Sequence, residues 1–477
     1  MAVTFVLNGE WIAEEGAAPS MTVLDYLRTR RRLTGTKEGC AEGDCGACTI
    51  AIGRPEPSGA DAGAMRWQAA NSCLMLLSQL DGAAVKTVEG LAQGDALHPV
   101  QRVLAESDGT QCGFCTPGIV MSLYVLQQER AAEAGPPDDG DIHEALAGNL
   151  CRCTGYRPIV DAARILCAEP PPAEPQLAVP RGGARLEAAG ELHLLPPTLA
   201  ELVRLRAVYP DAVLIAGATD LGLIPAKQRR GFPRAISTRR VAELKRIEVA
   251  EDSLILGAAV TYAEGLAAVE EAFPAFGALV RRIGSRQIRA MGTFGGNLAT
   301  ASPIGDTLPV LLALDAEVEL AGPAGLRRMK VADFITGYRK TALAPDEVIA
   351  ALRLSLLTAG EGLFAWKLSR RFDQDISTLL GAFRVRIADG VLTSLQAAFG
   401  GMAERAKRAP ALEGALVGQR WEAHAPTGIE AALAADFSPV GDHRASAAYR
   451  LKAAANLVRR LHLASTRPDV PLTLEAL

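Results

Sequence analysis

Several protein classes leave marks that this chain lacks, and each absence narrows what it does. It has no excess of positive charge: 50 Lys and Arg stand against 54 Asp and Glu, for a net charge of −4. A nucleic-acid binder is normally basic. No apolar run approaches the ~18 residues that a membrane-spanning helix needs. Met1 to Ile12 alternates and carries Asn8-Gly9, with no apolar core of a secretory signal. No G-x-G-x-x-G occurs, so a nicotinamide-type Rossmann site is unsupported, and there is no internal repeat. These absences predict a soluble, cytoplasmic chain in a reducing compartment, engaging neither nucleic acid nor membrane.

What the chain does have is cysteine in two groups. The first reads Cys40-x4-Cys45-x2-Cys48 and closes with Cys73; the second reads Cys112-x2-Cys115 and then Cys151-x-Cys153. Only Cys167 stands outside them, on the apolar side of its helix, where it reads as a small buried hydrophobe. The x4/x2 spacing is that of plant-type [2Fe–2S] ferredoxins. Disulfides are the first competing reading, and a reducing compartment disfavours them. Structural zinc is the second, but zinc sites usually pair two C-x2-C knuckles, which the first group does not. Two clusters on one chain imply an electron relay and hence an oxidoreductase.

The residues around the cysteines suit that chemistry. A [2Fe–2S] cluster with four thiolates is anionic, and N–H donors must answer it. Gly39, Gly43 and Gly46 interleave with the first three cysteines and let the backbone wrap closely. In the second group Thr116-Pro117 reads as a helix cap and first helical position, Pro158 opens the next helix, and Gly148 reads as a C-cap. Both cysteine pairs then lie at helix N-termini, whose dipoles favour thiolate.

The length of 477 residues and 49% apolar content support three or four domains. Val3 to Leu7, Asn8-Gly9 and Trp11-Ile12 read as a hairpin. A helical stripe runs from Thr22 to Leu33, with Arg28, Arg30, Arg31 and Arg32 on its wet face. Arg54 to Ala64 is a polar Pro/Gly loop, with strands expected at Met65–Ala70 and Ala83–Val88. Apolar periodicity predicts four helices, at Val100–Ala105, Ile119–Gln127, Ile142–Leu146 and Ile159–Leu166. Beyond a Pro-rich spacer, strands and helices alternate to about Leu356. A last α+β segment has a strand near Phe383–Ile387 and a helix near Arg450–Leu463. Val213 to Ala216 is a short strand running into Gly217-Ala-Thr-Asp-Leu-Gly222, and a second glycine turn reads Gly292-Thr-Phe-Gly-Gly-Asn297. Such turns bring amides to a pyrophosphate, with Thr219, Thr293 and Asn297 as neutral donors and Asp306 as an acceptor for an adenosine hydroxyl. None of the six histidines lies in these loops, so the flavin is expected to be non-covalent.

Together these motifs resemble the molybdenum hydroxylase (xanthine oxidase) family. Its signatures here are Gly39-Cys-Ala-Glu-Gly-Asp-Cys-Gly-Ala-Cys48, Gln111-Cys-Gly-Phe-Cys-Thr-Pro-Gly118, Gly148-Asn-Leu-Cys-Arg-Cys-Thr-Gly-Tyr-Arg-Pro158 and Gly295-Gly-Asn297 with Ser302-Pro-Ile-Gly-Asp306. Within the family the arrangement is similar to the small subunit of bacterial xanthine dehydrogenases. The resemblance implies an α+β multidomain chain. Its parts are a β-grasp [2Fe–2S] ferredoxin domain at 1–88, a four-helix [2Fe–2S] domain at 89–167 and a Pro-rich linker at 168–190. A two-part α/β FAD-binding domain at 191–356 and a C-terminal α+β flavoprotein domain at 357–477 follow.

The resemblance also implies function. Electrons from a molybdopterin centre on a large partner subunit, in an α2β2 heterotetramer, would pass through both clusters to FAD and then NAD⁺, as hypoxanthine becomes xanthine and then urate. No residue of this chain would be catalytic. Cys40, Cys45, Cys48 and Cys73 would hold one cluster, and Cys112, Cys115, Cys151 and Cys153 the other. FAD would meet Leu214, Ile215, Ala216, Gly217, Ala218, Thr219, Asp220 and Leu221, then Thr293, Phe294, Gly295, Gly296 and Asn297, and also Asp306, Ile349 and Lys367. Two alternatives stay open. One is the iron–sulfur/flavin subunit of a relative acting on an aldehyde, an N-heterocycle or an aromatic-CoA; the other is a stand-alone electron-transfer flavoprotein.

Overall fold

The Asn8-Gly9 turn behaves as its residues require. In a computed structural model describing residues 2–55, 65–130, 137–172, 174, 178–179, 182–422, 425–467, 469–470 and 472, Asn8 and Gly9 take φ of 51° and 89°. These are the two positive values of a type I′ turn. The strands they join, Val3–Leu7 and Glu10–Glu14, belong to a five-stranded sheet. Its order is Glu10–Glu14, Val3–Leu7, Ala84–Lys86, Thr49–Pro55, Met65–Asn71, with Val3–Leu7 and Ala84–Lys86 parallel. Residues 56–64 of the Pro/Gly loop and parts of the Pro-rich spacer lie outside the described residues.

The helical stripe after Thr22 is shorter and wider than its periodicity predicts. Thr22 caps it by accepting from the Asp25 amide at 3.0 Å, but the α-helix spans only Val23–Asp25. Tyr26–Arg30 then forms a π turn, closed by Arg31 N–H donating to the Tyr26 carbonyl at 3.1 Å. The extra residue per turn seats Tyr26 and Leu27 in the core with Phe5.

The four predicted helices are present as Pro99–Glu106, Thr116–Arg130, Asp139–Leu146 and Arg157–Cys167. They share a core built on Ile119, Leu123, Tyr124, Ile142, Ile159 and Ala163. Gly148, expected as a C-cap, has no positive φ, and Ala147 caps the helix instead. Gly148 is required for another reason: a Cβ there would lie 2.2 Å from Gln287 Oε1.

The chain divides into two compact units. One holds Met1–Leu205, Asp211–Val241 and Gly284–Gly292; the other holds Arg206–Pro210, Ala242–Ile283 and Thr293–Leu477. Besides the five-stranded sheet and the four helices, the first contains a sheet ordered Arg185–Ala188, Glu191–Leu194, Arg234–Ser237, Val213–Ile215. Its three later strands are parallel. The second has an antiparallel sheet ordered Ile247–Val249, Ser253–Gly257, Val348–Ser355, Glu317–Gly322, Gly325–Lys330. It also has a four-stranded sheet from Glu361–Leu368 to Lys407–Arg408, packed with the helix Ala447–Thr466. The division therefore runs through residues 191–356, because the segment 284–292 is built into the unit of the cysteine loops.

Phe399 anchors the C-terminal core, fully buried with Phe383 and Phe437 rings each 5.5 Å away. Phe399→Ala should cost about 3–5 kcal/mol, read as a lower denaturant midpoint. An unchanged midpoint would contradict this packing.

Candidate cluster and flavin sites

The first cysteine loop is folded so that its backbone amides point at sulfur. The N–H groups of Glu42, Asp44 and Cys45 lie 3.4, 3.3 and 3.4 Å from Cys40 Sγ, and the Cys40 N–H lies 3.3 Å from Cys45 Sγ. This close wrap excludes side chains, since a Cβ on Gly39 would stand 2.7 Å from Cys45 Sγ. Asn71, ahead of Cys73, donates through Nδ2 to the Gly43 carbonyl at 2.9 Å and accepts from Cys48 Sγ. The second site uses side chains as well: the Thr154 hydroxyl lies 3.2 Å from Cys151 Sγ, and the Cys151 N–H donates to the Tyr156 hydroxyl at 2.9 Å.

None of the nine cysteines forms a disulfide. Eight of them influence one another two by two, Cys167 apart: Cys40 with Cys45, Cys48 with Cys73, Cys112 with Cys153, and Cys115 with Cys151. In each pair one thiol is held down and the other pushed up. The Cys45 thiol, aided by the Asp44 and Glu42 amides, holds Cys40 at about 5, while Cys45 is raised by its bond to Cys40. Cys73 likewise lowers Cys48. The Phe114 amide, then Cys153, lowers Cys112. Burial, then Cys151, lifts Cys115 to about 12. Among the described residues no three His, Cys, Asp or Glu converge on one point. Two thiols per position, doubled at each site, suit a pair of bridged irons better than one tetrahedral zinc. The amides and the glycine cradle fit an anionic cluster.

The two sites differ in exposure. Cys48 and Cys73 are buried, whereas Cys112 and Cys153 are exposed, beside the exposed apolar Phe114, Leu150 and Tyr156.

The flavin-loop residues fall in both units. In the first unit, Leu214 and Ile215 end the strand Val213–Ile215, and the turn over Ala216 to Leu221 follows with Ala218 at φ 62°. A Cβ on Gly217 would meet the Met291 carbonyl oxygen at 1.9 Å, so only glycine fits. The Ala216 carbonyl accepts from Gln79 Nε2 at 3.2 Å. In the second unit, Thr293 caps the short helix Phe294–Thr300, its Oγ1 accepting from the Gly296 amide at 2.9 Å. Gly295 packs where a Cβ would lie 2.5 Å from the Ala258 carbonyl oxygen. Asn297 Oδ1 accepts from the Thr307 hydroxyl at 2.5 Å.

Lys367 is buried, its Nζ donating to Asp306 Oδ2 at 2.8 Å and to the Arg282 carbonyl at 3.1 Å, while Ser377 Oγ donates to Asp306 Oδ1. The second unit thus pairs Lys367 with Asp306, while Asn297 bonds Thr307, the residue after Asp306. Ile349 is buried in the strand Val348–Ser355. Within the second unit, a glycine held at backbone distance, a buried cation and neutral donors fit a flavin dinucleotide.

Four family models match in tandem. They are a 2Fe-2S iron-sulfur cluster binding domain over 5–78, a [2Fe-2S] binding domain over 87–164, the FAD binding domain in molybdopterin dehydrogenase over 189–355, and the CO dehydrogenase flavoprotein C-terminal domain over 364–465. This chain belongs to the molybdenum hydroxylase family. It is an α+β multidomain member, with two ferredoxin-type [2Fe–2S] domains, an FAD-binding domain and a C-terminal flavoprotein domain.

Xanthine dehydrogenase of Drosophila subobscura is 34% identical over 484 residues, which cover 87% of this chain and 36% of that one. Xanthine dehydrogenase of Drosophila pseudoobscura pseudoobscura is 32% identical, over 98% of this chain and 39% of its own. The chain therefore spans little more than a third of these relatives. Reconstituted CO dehydrogenase from Oligotropha carboxidovorans is 28% identical with a TM-score of 0.53, over 56% of this chain and 94% of that one.

Sequence reasoning missed a set of supporting residues. Lys227 Nζ donates to the Cys40 carbonyl and pairs with Glu42 at 3.2 Å. Gln287, Asn149 and Ser122 form a buried polar knot. A lone Lys or Gln far from the cysteines in sequence carries no periodic or motif signal, so nothing in the chain announced them.

Cys45→Ser and Cys151→Ser should each halve the iron, from about four to about two per chain, and should remove different spectroscopic signals. Loss of the same signal in both would break the two-site assignment. Gly217→Ala should empty the flavin site and leave iron content intact; full FAD occupancy would show that the turn tolerates a Cβ.

Proposed function

We propose that the chain is the electron-transfer subunit of a xanthine dehydrogenase. In this reading it takes electrons from a molybdopterin centre on a large partner subunit, in an α2β2 heterotetramer, and delivers them to NAD⁺. Cys40, Cys45, Cys48 and Cys73 would hold one cluster, and Cys112, Cys115, Cys151 and Cys153 the other. Domain limits follow at 1–88, 89–167, 191–356 and 357–477, with 168–190 as linker. When bound, the clusters supply one-electron exchange and FAD exchanges two electrons with a nicotinamide.

The observation that carries this reading is the unequal exposure of the two cysteine sites. Cys112 and Cys153 reach the surface among Phe114, Leu150 and Tyr156, an apolar face suited to a permanent partner. Cys48 and Cys73 are sealed inside, as an interior relay station requires.

The chain's own residues would then do three tasks. Loop amides hold anionic sulfur. The turn at Gly217 in the first unit and the loop Thr293 to Asn297 in the second would each offer backbone to a phosphate, and Lys367 would keep a positive charge in the second unit against Asp306. A cavity of about 420 Å³ in the second unit, lined by Ser369, Arg370, Thr378, Arg444, Ser446 and Tyr449, supports NAD⁺ as acceptor. Its size suits a nucleotide, two guanidiniums suit phosphate, and the Tyr449 ring can cover a base.

The C-terminal match to a CO dehydrogenase flavoprotein domain favours a second reading, in which the same electron path serves another family substrate. Purifying the native complex and assaying xanthine with NAD⁺ separates the two. The chain alone should pass electrons from NADH to an artificial acceptor yet leave xanthine untouched. Xanthine oxidation without a partner would refute the two-subunit reading, and NADH that cannot reduce the flavin would point to another acceptor.

A further inference from the structure

The two cysteine loops are joined by one backbone hydrogen bond. The Leu150 N–H donates to the Cys45 carbonyl at 3.0 Å, so a residue next to Cys151 touches one of the first loop's own thiol-bearing residues. Around this junction the backbones come as close as they can. A Cβ on Gly46 would lie 2.1 Å from the Gly148 carbonyl oxygen, and a Cβ on Gly118 would lie 2.1 Å from that of Gly46.

A buried amide from a distant segment sits over the junction. Gln287 is fully buried, and its Nε2 lies 3.0 Å from Asn149 Oδ1, 3.2 Å from Ser122 Oγ and 3.3 Å from Thr49 Oγ1. Asn149 passes the donation on, Nδ2 giving a hydrogen bond to the Gly46 carbonyl at 3.2 Å. Ser122 follows Cys115 on its helix, Thr49 follows Cys48, and Asn149 precedes Cys151. Gln287 thus bonds directly to the residue after Cys48 and to the segments that carry Cys115 and Cys151, and reaches the Gly46 carbonyl beside Cys45 through Asn149. Gln287 Oε1 finds no hydrogen-bond partner among the described residues, which is costly for a buried polar atom. A core residue kept for stability alone would not carry that penalty. Arg286–Glu129 at 2.5 Å and Arg289–Glu144 at 2.8 Å pin the same segment to the four-helix domain.

We infer that Gln287 is a positioning residue for electron exchange between the two cluster sites, holding the Cys45–Leu150 bridge in register. This rests on the two-cluster reading above. Per transfer, one electron crosses the bridge, oxidising the cluster of the four-helix domain and reducing that of the β-grasp domain, with no bond made or broken. Gln287 touches neither cluster site's thiols and acts through Asn149, Ser122 and Thr49.

The test uses the full chain with both clusters and FAD. Gln287→Glu keeps shape and volume but removes both N–H donors, leaving oxygen facing oxygen at Asn149. Iron content and the separate electron paramagnetic resonance signals should match the unmodified chain. The magnetic splitting between the two reduced clusters should change, and cluster-to-cluster transfer after flash photoreduction should slow by roughly tenfold or more, the scale on which small losses of placement act. Arg286→Met, at the part-exposed rim of the segment, should shift splitting and rate in the same direction by less. Unchanged splitting and rate in a fully loaded Gln287→Glu chain would overturn the inference. If that variant does not load, an unchanged splitting and rate in Arg286→Met would overturn it equally. A single cluster signal in the unmodified chain would remove the two-cluster reading and this inference with it.

Discussion

Bare backbone against bare backbone is the constraint on which the first unit depends. Electron exchange falls steeply with distance, so two cluster sites in different folding elements are useful only if their loops meet without side chains between them. Gly46 answers from the β-grasp loop at φ 68°, Gly118 from the first turn after Cys115, and Gly148 from just before Cys151. A Cβ on Gly46 or Gly118 would run into the opposing backbone, and one on Gly148 into the Gln287 and Ser285 side chains. Close approach leaves peptide groups buried, and these must be paired. The Leu150–Cys45 bond and the Asn149 side chain on the Gly46 carbonyl do this locally, and the segment 284–292 completes it from elsewhere in the chain.

That dependence explains what the sequence made legible. Features set by neighbours in the chain were readable: the Asn8-Gly9 turn and the four helices of 99–167. Each reflects local geometry, and each is found close to its expected place. The stripe after Thr22 read as an α-helix because a π turn preserves apolar spacing over so few residues; only the core's demand for Tyr26 and Leu27 together widens it. Gly148 read as a cap because a glycine after a helix usually is one, yet its partner, Gln287, lies 139 residues on. The thiol pairing was equally unreadable, since Cys48 meets Cys73 and Cys115 meets Cys151 across folds that spacing cannot encode.

The flavin residues show the same limit. Gly217 and Gly295 are recognisable as glycines that something must approach, but their partners lie far off in the sequence: the Met291 carbonyl for one, the Ala258 carbonyl for the other. Thr293, read as a ligand donor, also caps its own helix, and Asn297 shares its oxygen with Thr307. Residue type marked these loops as special. Only the folded chain separates what holds the loop from what the loop holds.

Lys367 and Asp306 carry the argument furthest. Their side chains are 2% and 10% exposed, and taking two charges out of water costs several kcal/mol per ion before their attraction returns it. The Arg282 carbonyl and Ser377 hydroxyl complete the pair, so it is satisfied, yet a well-packed apolar pair of similar volume would serve stability as well or better. Stability therefore does not explain why the second unit keeps an ammonium and a carboxylate in its core, beside Tyr262, whose hydroxyl burial and Asp306 together push toward the neutral form. The pair is thus a polar feature of the second unit's core that packing alone leaves unexplained.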